Sequence, residues 1–200
     1  MSLLPPLLND LIAMASWSAV AALLLLVAVL ALLATATERS SLVLPAIVVV
    51  GIGAYALLLG FEPTPPGALG PLIALGLALI GIVAGGPLAT LVLAAATRGG
   101  APDGDHGGII VPVATGGTAR TKPSTREVLR GGLTIGYLER VIVVAAVLVG
   151  RWELLAGLIA IKGLGRFRDL DAGAATERFI IGTLVSLTWA GLCGALIVLA

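Results

Sequence analysis

Six stretches of the chain run apolar with almost no interruption, and short polar segments part them. The first covers Leu11 to Ala36, and within it Leu23 to Leu33 holds no polar residue. The second covers Leu42 to Gly60 and the third Ala68 to Thr97. After a polar gap come Gly131 to Gly150, Leu154 to Phe167 and Phe179 to Ala200. Several of these reach the ~20 residues that a helix needs to cross a ~30 Å hydrocarbon core. In hydrocarbon every backbone N–H and C=O must pair internally, so a crossing segment is a helix or part of a closed barrel. Barrel strands alternate apolar and polar positions, and these runs do not. The pattern predicts an all-α, polytopic transmembrane bundle of about six spans.

The punctuation agrees with the runs. Pro45 falls in the first turn of the second span, where its missing N–H is harmless. Glu62-Pro63-Thr64-Pro65-Pro66-Gly67 is a turn by composition. Gly85-Gly86-Pro87 interrupts the third span and predicts a kink. Arg151-Trp152-Glu153 predicts a tight turn. Three parts follow: residues 1–97 with three apolar spans, a polar loop over 98–130, and residues 131–200 with three spans that carry charge. The 33-residue loop is too short for a core of its own and is expected to be partly disordered, with room for a short hairpin. The fifth span is the weakest, because Lys162 and Arg166 shorten its apolar stretch. It crosses if both side chains snorkel to the interface.

Composition supports lipid as the solvent. Charged residues make up 12% of the chain and mean hydropathy is +1.12, against ~25% charged residues in an ordinary soluble domain. The net charge of +1 implies no nucleic-acid partner. Ala34-Thr35-Ala36 resembles a signal cleavage site, but residues 1–16 hold no Lys or Arg and the site lies too deep, so an uncleaved first span is expected. Basic residues set the orientation. Arg39, Arg98, Arg120, Lys122, Arg126, Arg130, Arg166, Arg168 and Arg178 fall on one side of a six-span chain, and only Arg151 on the other. Both termini are therefore expected outside, with loop 98–130 in the cytoplasm.

Candidate chemistry is sparse. Cys193 is the sole cysteine and His106 the sole histidine, which excludes a disulfide within the chain and any multi-histidine metal site. Asp103-Gly104-Asp105-His106 is an incomplete ligand set and reads as a solvated turn. Thr115-Gly116-Gly117-Thr118 lacks the lysine of a phosphate loop. A Ser/His/Asp hydrolase would need a histidine on a rigid scaffold. No metal and no cofactor are expected.

Two features remain. Small residues recur four apart at Gly81, Gly85 and Ala89, at Ser186, Ala190 and Gly194, and at Gly132 and Gly136. Such stripes let helix backbones approach closely, unless they are chance in a Gly/Ala-rich chain. The second feature is charge inside the last three spans. An ionised side chain at the bilayer centre costs about 2.5–3.5 kcal/mol on insertion scales. Glu139, Arg140, Lys162, Arg166, Glu177 and Arg178 are expected at similar depth near the cytoplasmic leaflet, with Glu139 pairing Lys162 or Arg166. Three readings stay open. The cluster is a salt-bridge network that fixes helix register, a basic pocket for an anionic headgroup or phosphate, or a proton or ion path through Glu139.

Gly136-Tyr137-Leu138-Glu139-Arg140, Ala160-Ile161-Lys162, Arg166-Phe167, Glu177 and Ile181-Gly182-Thr183-Leu184-Val185-Ser186 form a spaced pattern over residues 131–200. It resembles the C-terminal membrane segment of a group of uncharacterised bacterial inner-membrane proteins. The resemblance implies a bacterial cytoplasmic-membrane location and brings no activity. The leading functional expectation is a membrane-embedded binding or scaffold module, acting on anionic phospholipid headgroups, other membrane proteins or its own copies. A small transporter or channel component is one alternative. A membrane enzyme on a phosphorylated lipid is the other, and the sequence leans away from it: only Glu139 and Glu177 could act as its base, and no D-x-x-D pair is present.

Overall fold

The structure, a computed structural model, describes residues 6–61, 64–96, 110–112, 125–127, 132–166 and 173–199. Six α-helices carry the fold: α1 (Pro6–Ala36), α2 (Leu44–Leu58), α3 (Leu69–Ala96), α4 (Gly132–Leu148), α5 (Glu153–Arg166) and α6 (Gly173–Leu199). A 3-10 turn over Ser40–Val43 leads into α2. Among the described residues four segments are long and apolar enough to cross a membrane: 7–36, 40–58, 69–96 and 176–199. The α4 and α5 helices are shorter and carry charge. Within the polar stretch, Ile110–Pro112 and Thr125–Glu127 pair antiparallel, Val111 opposite Arg126. Asp103 to His106 and Thr115 to Thr118 lie outside the described residues.

Helix ends follow local chemistry. Pro45 sits in the first turn of α2, as its lack of an N–H requires. The α2 helix closes on Gly60: its N–H reaches the Leu57 carbonyl and the Phe61 N–H reaches that of Ala56. The same double bond closes α4, from Gly150 to Val147 and from Arg151 to Ala146. Both glycines hold positive φ, +78° and +65°, the left-handed geometry that this cap demands. The expected tight turn at Arg151–Glu153 is this cap followed directly by α5.

The α3 helix is the centre. Half of its most apolar window is buried, against a third or less in the other three long segments. It packs against α1, α4 and α6. Ile80 and Ala84 of α3, Ala31 of α1, Val43 of the 3-10 turn and Cys193 of α6 are all fully enclosed. On the outside, Leu26, Val29 and Leu32 of α1 and Val48, Ile52 and Tyr55 of α2 are exposed. In water an apolar surface of this extent would aggregate; in a bilayer it faces its proper solvent.

The small-residue stripes on α3 and α6 are contact lines. A Cβ added at Gly81 would stand 2.8 Å from Cys193 Cβ, and one at Gly194 would stand 3.0 Å from Val147 Cβ. Ala190 is fully buried. These contacts also set direction. Gly81 meets Cys193 and Val144, Gly85 meets Ser186 and Arg140, and Gly182 meets Leu93. Rising numbers on α4 and α6 thus meet falling numbers on α3, so α3 runs opposite to both. Gly191 faces Val143 and Gly194 faces Val147, so α4 and α6 run parallel.

Candidate functional site

Among the charged positions the structure describes two groups with different partners. The first is Arg140. It is 4% exposed, one of three polar or charged residues in the described core. Its Nε donates to the Ile82 carbonyl of α3, and its Nη1 donates to Ser186 Oγ of α6 at 3.0 Å. Its Cζ stands 4.9 Å from the Tyr137 ring centroid, one turn back on the same helix. Ile82 is the fourteenth of 28 residues in α3, and Ser186 the fourteenth of 27 in α6. Arg140 therefore pins the midpoints of the two longest partners of α4.

Glycine makes room for it. A Cβ at Gly85 would stand 2.5 Å from Arg140 Cδ, and one at Gly136 would stand 3.1 Å from Nη1. Pro87 lies inside α3. Its missing N–H removes the donor for the Val83 carbonyl. The Ile82 carbonyl that Arg140 uses is the adjoining one. Trp189 of α6 donates in the same way to the Ile80 carbonyl, at 3.2 Å. Side chains from α4 and α6 thus bond backbone carbonyls of a proline-bearing helix.

The second is an ion pair. Lys162 of α5 donates to Glu139 of α4. The side chains are 19% and 8% exposed. Lys162 Nζ lies 5.5 Å from the Phe179 ring centroid, and Phe179 precedes Ser186 by seven residues on α6. Of the two partners expected for Glu139, Lys162 is the one it takes.

Of the six charges expected together, Glu139 and Lys162 meet each other, and Arg140 takes other partners. Neighbouring helix residues point about 100° apart, so Glu139 turns toward α5 while Arg140 turns between α3 and α6. Glu177 is exposed and Arg178 half-buried with an interaction of its own. Arg166 ends α5, four residues past Lys162; its side chain lies outside the described residues. Among the described residues every enclosed side-chain N or O has a hydrogen-bond partner, and no group of three His, Cys, Asp or Glu could hold a metal.

Sequence reasoning missed Ser186, Tyr137 and the Ile82 carbonyl as partners of Arg140. The signal was present but split: Gly85, Gly136 and Ser186 stood in the small-residue stripes, and Arg140 stood in the charge cluster. The stripes are the bed in which the arginine lies.

An apolar hollow of about 230 Å³ opens between α4, α5 and α6 beside this site. No protein-family model, curated protein or solved structure matches the chain.

Proposed function

We propose that the chain is a multi-pass protein of the bacterial cytoplasmic membrane whose α4–α6 half binds an anionic lipid headgroup at the cytoplasmic leaflet. Six spans are supported by direction. With α4 and α6 parallel, the chain must return between the end of one and the start of the other, and α5 is the helix available. Its 14 residues extend about 21 Å. Snorkelling of Lys162 makes up remaining depth. Orientation rests on the basic bias of the sequence, which puts both termini outside and loop 98–130 in the cytoplasm. The resemblance of residues 131–200 to bacterial inner-membrane proteins agrees with that placement.

Charge carries the binding reading. Arg140, Lys162 and Glu139 are held among the helices, and together they bear one surplus positive charge. Arg140 donates its hydrogen bonds to a carbonyl and a hydroxyl, neither of which neutralises it. Arg166, Glu177 and Arg178 add one more surplus cation at the same end. A cationic cluster next to the cytoplasmic leaflet attracts anionic headgroups. The test is native mass spectrometry of the full chain released from vesicles of mixed phosphatidylglycerol and phosphatidylcholine. Preferential retention of phosphatidylglycerol, lost in Lys162→Gln/Arg166→Gln, is expected. Equal retention of the two lipids would remove the headgroup reading.

A small transporter or channel component is the second reading, favoured by one observation: Glu139 and Lys162 form a titratable pair between two helices. Proton uptake by proteoliposomes that is abolished in Glu139→Gln would favour it. An enzyme acting on phosphorylated lipid has less support, since Glu177 is exposed and Glu139 is engaged by Lys162.

A further inference from the structure

The hollow between α4, α5 and α6 lies on the same helix faces as the ion pair. On α4 its walls are Val143 and Val147, four and eight residues past Glu139. On α5 they include Leu155 and Leu158, the latter four residues before Lys162. On α6 they include Leu187 and Gly191, eight and twelve residues past Phe179, whose ring faces Lys162. Residues four apart share a helix face. All three stripes therefore run from one polar end, Glu139–Lys162–Phe179, into one apolar hollow.

We infer that this arrangement is a lipid site in which the hollow takes an acyl chain and Lys162 takes the anionic headgroup of the same molecule. The inference rests on the headgroup reading above and adds the chain slot to it. Three physical points carry it. First, the hollow is lined by apolar side chains and glycine, and an apolar cavity does not hold water stably. Second, its volume of about 230 Å³ exceeds the ~150 Å³ that admits benzene in an engineered cavity. It thus accepts a segment of alkyl chain, with the remainder along the bilayer face. Leaving the bilayer brings a chain no hydrophobic gain, so what favours entry is dispersion contact with walls that otherwise lack partner atoms. Third, Lys162 has three N–H donors. Glu139 takes one, and the side chain keeps 19% of its surface exposed, so donors remain for a phosphate oxygen. Arg140, one residue from Glu139, keeps the local charge positive once that carboxylate is neutralised by Lys162.

Direction agrees as well. Lys162 lies toward the end of α5 that leads to the proposed cytoplasmic side, and Trp152, at the far mouth of the hollow, lies toward the other. A lipid of the cytoplasmic leaflet with its head at Lys162 would run its chain into the hollow toward Trp152.

The test uses the full chain in phosphatidylcholine nanodiscs doped with either phosphatidylglycerol or phosphatidylcholine carrying a mid-chain diazirine. Irradiation of the phosphatidylglycerol probe is expected to label Leu155, Leu158 or Leu187 of the wild type in preference to Leu184 and Leu192 on the outer face of α6. Gly191 lines the hollow and an added Cβ there meets only Val143 Cγ1, at 3.9 Å, so Gly191→Leu puts its side chain at the hollow. It is expected to cut the slot labelling several-fold while leaving the preference for phosphatidylglycerol in native mass spectra. Labelling confined to the outer-face residues, with that preference intact, would overturn the slot and spare the headgroup reading. Equal slot labelling by both probes, unchanged in Lys162→Gln, would overturn the headgroup anchor. The wild-type labelling pattern decides the matter even if a variant fails to fold.

Discussion

The stem of Arg140 occupies the space that a side chain at position 85 would need: a Cβ on Gly85 would stand 2.5 Å from Arg140 Cδ. One residue of α3 and one of α4 are therefore chosen together. Gly85→Ala should force the arginine out of its bonds to Ile82 and Ser186. The expected loss is about 1–3 kcal/mol, the range for overpacking a tight core. Gly86→Ala is the control, because its Cβ would meet Arg140 Nη2 at an ordinary 3.8 Å. The measurement is thermal or denaturant unfolding in detergent, run as a double-mutant cycle with Arg140→Ala. Once the arginine is gone, Gly85→Ala should cost almost nothing, since contacting residues couple and distant ones add. Equal losses in both backgrounds would refute the coupling.

The Glu139–Lys162 pair makes a different prediction. Removing one member of a low-exposure pair leaves the other charge without its partner, which is worse than removing both. Glu139→Gln should destabilise by roughly 2–3 kcal/mol, near the insertion cost of a lone lysine at depth. Lys162→Met should lose less, because Glu139 retains Arg140 as a neighbour along the chain. The double variant should recover most of the loss. If it is as unstable as the sum of the singles, the pair contributes no coupling and its place in the site is incidental.

How far these features were legible in the sequence differs by feature, for physical reasons. The helices were legible because hydrocarbon imposes length and apolarity, and both can be counted along a chain. Their ends agree within about two residues except at the starts of α1, which is helical from Pro6 and not from Leu11, and of α6, which starts at Gly173 and not at Phe179; Thr176, Glu177 and Arg178 are polar enough to pass for loop. The partner of Glu139 was legible to within two candidates from depth alone. The partners of Arg140 were not, because apolar periodicity is weak in helices that are apolar all round. Nothing along the sequence says whether Arg140 turns toward α5 or toward α3. The Ile82 carbonyl is a backbone group and has no sequence signature beyond the nearby Pro87.

Two left-handed residues should respond with opposite signs. Gly150 holds φ +65° in the cap that ends α4, and Glu38 holds φ +55° just after α1. Left-handed backbone costs a residue with a Cβ about 1–2 kcal/mol relative to glycine. Gly150→Ala is expected to destabilise by about 1 kcal/mol, with Gly150→Asn milder, because asparagine tolerates this region better. Glu38→Gly is expected to stabilise, by somewhat less than that amount, since glycine also gains freedom in the unfolded chain. Melting curves of the three variants check both signs. A stabilising Gly150→Ala would mean the Schellman cap on α4 is not formed.

The return of α5 can be tested without a structure. If α4 and α6 are parallel spans, Arg151 at the α4–α5 turn faces the side opposite to both Thr121 and Glu177. The chain has one cysteine, Cys193, which is buried, so Cys193→Ser gives a background for single-cysteine labelling. An impermeant maleimide added to intact cells should label Arg151→Cys and spare Thr121→Cys and Glu177→Cys until the membrane is opened. Labelling of Thr121→Cys from outside would invert the orientation and leave six spans standing. Labelling of Glu177→Cys together with Arg151→Cys, with Thr121→Cys spared, would put the start of α6 on the outer side and make α5 a helix that does not cross. Lys162 would then lie away from the cytoplasmic leaflet, and the headgroup reading would lose the depth on which it depends.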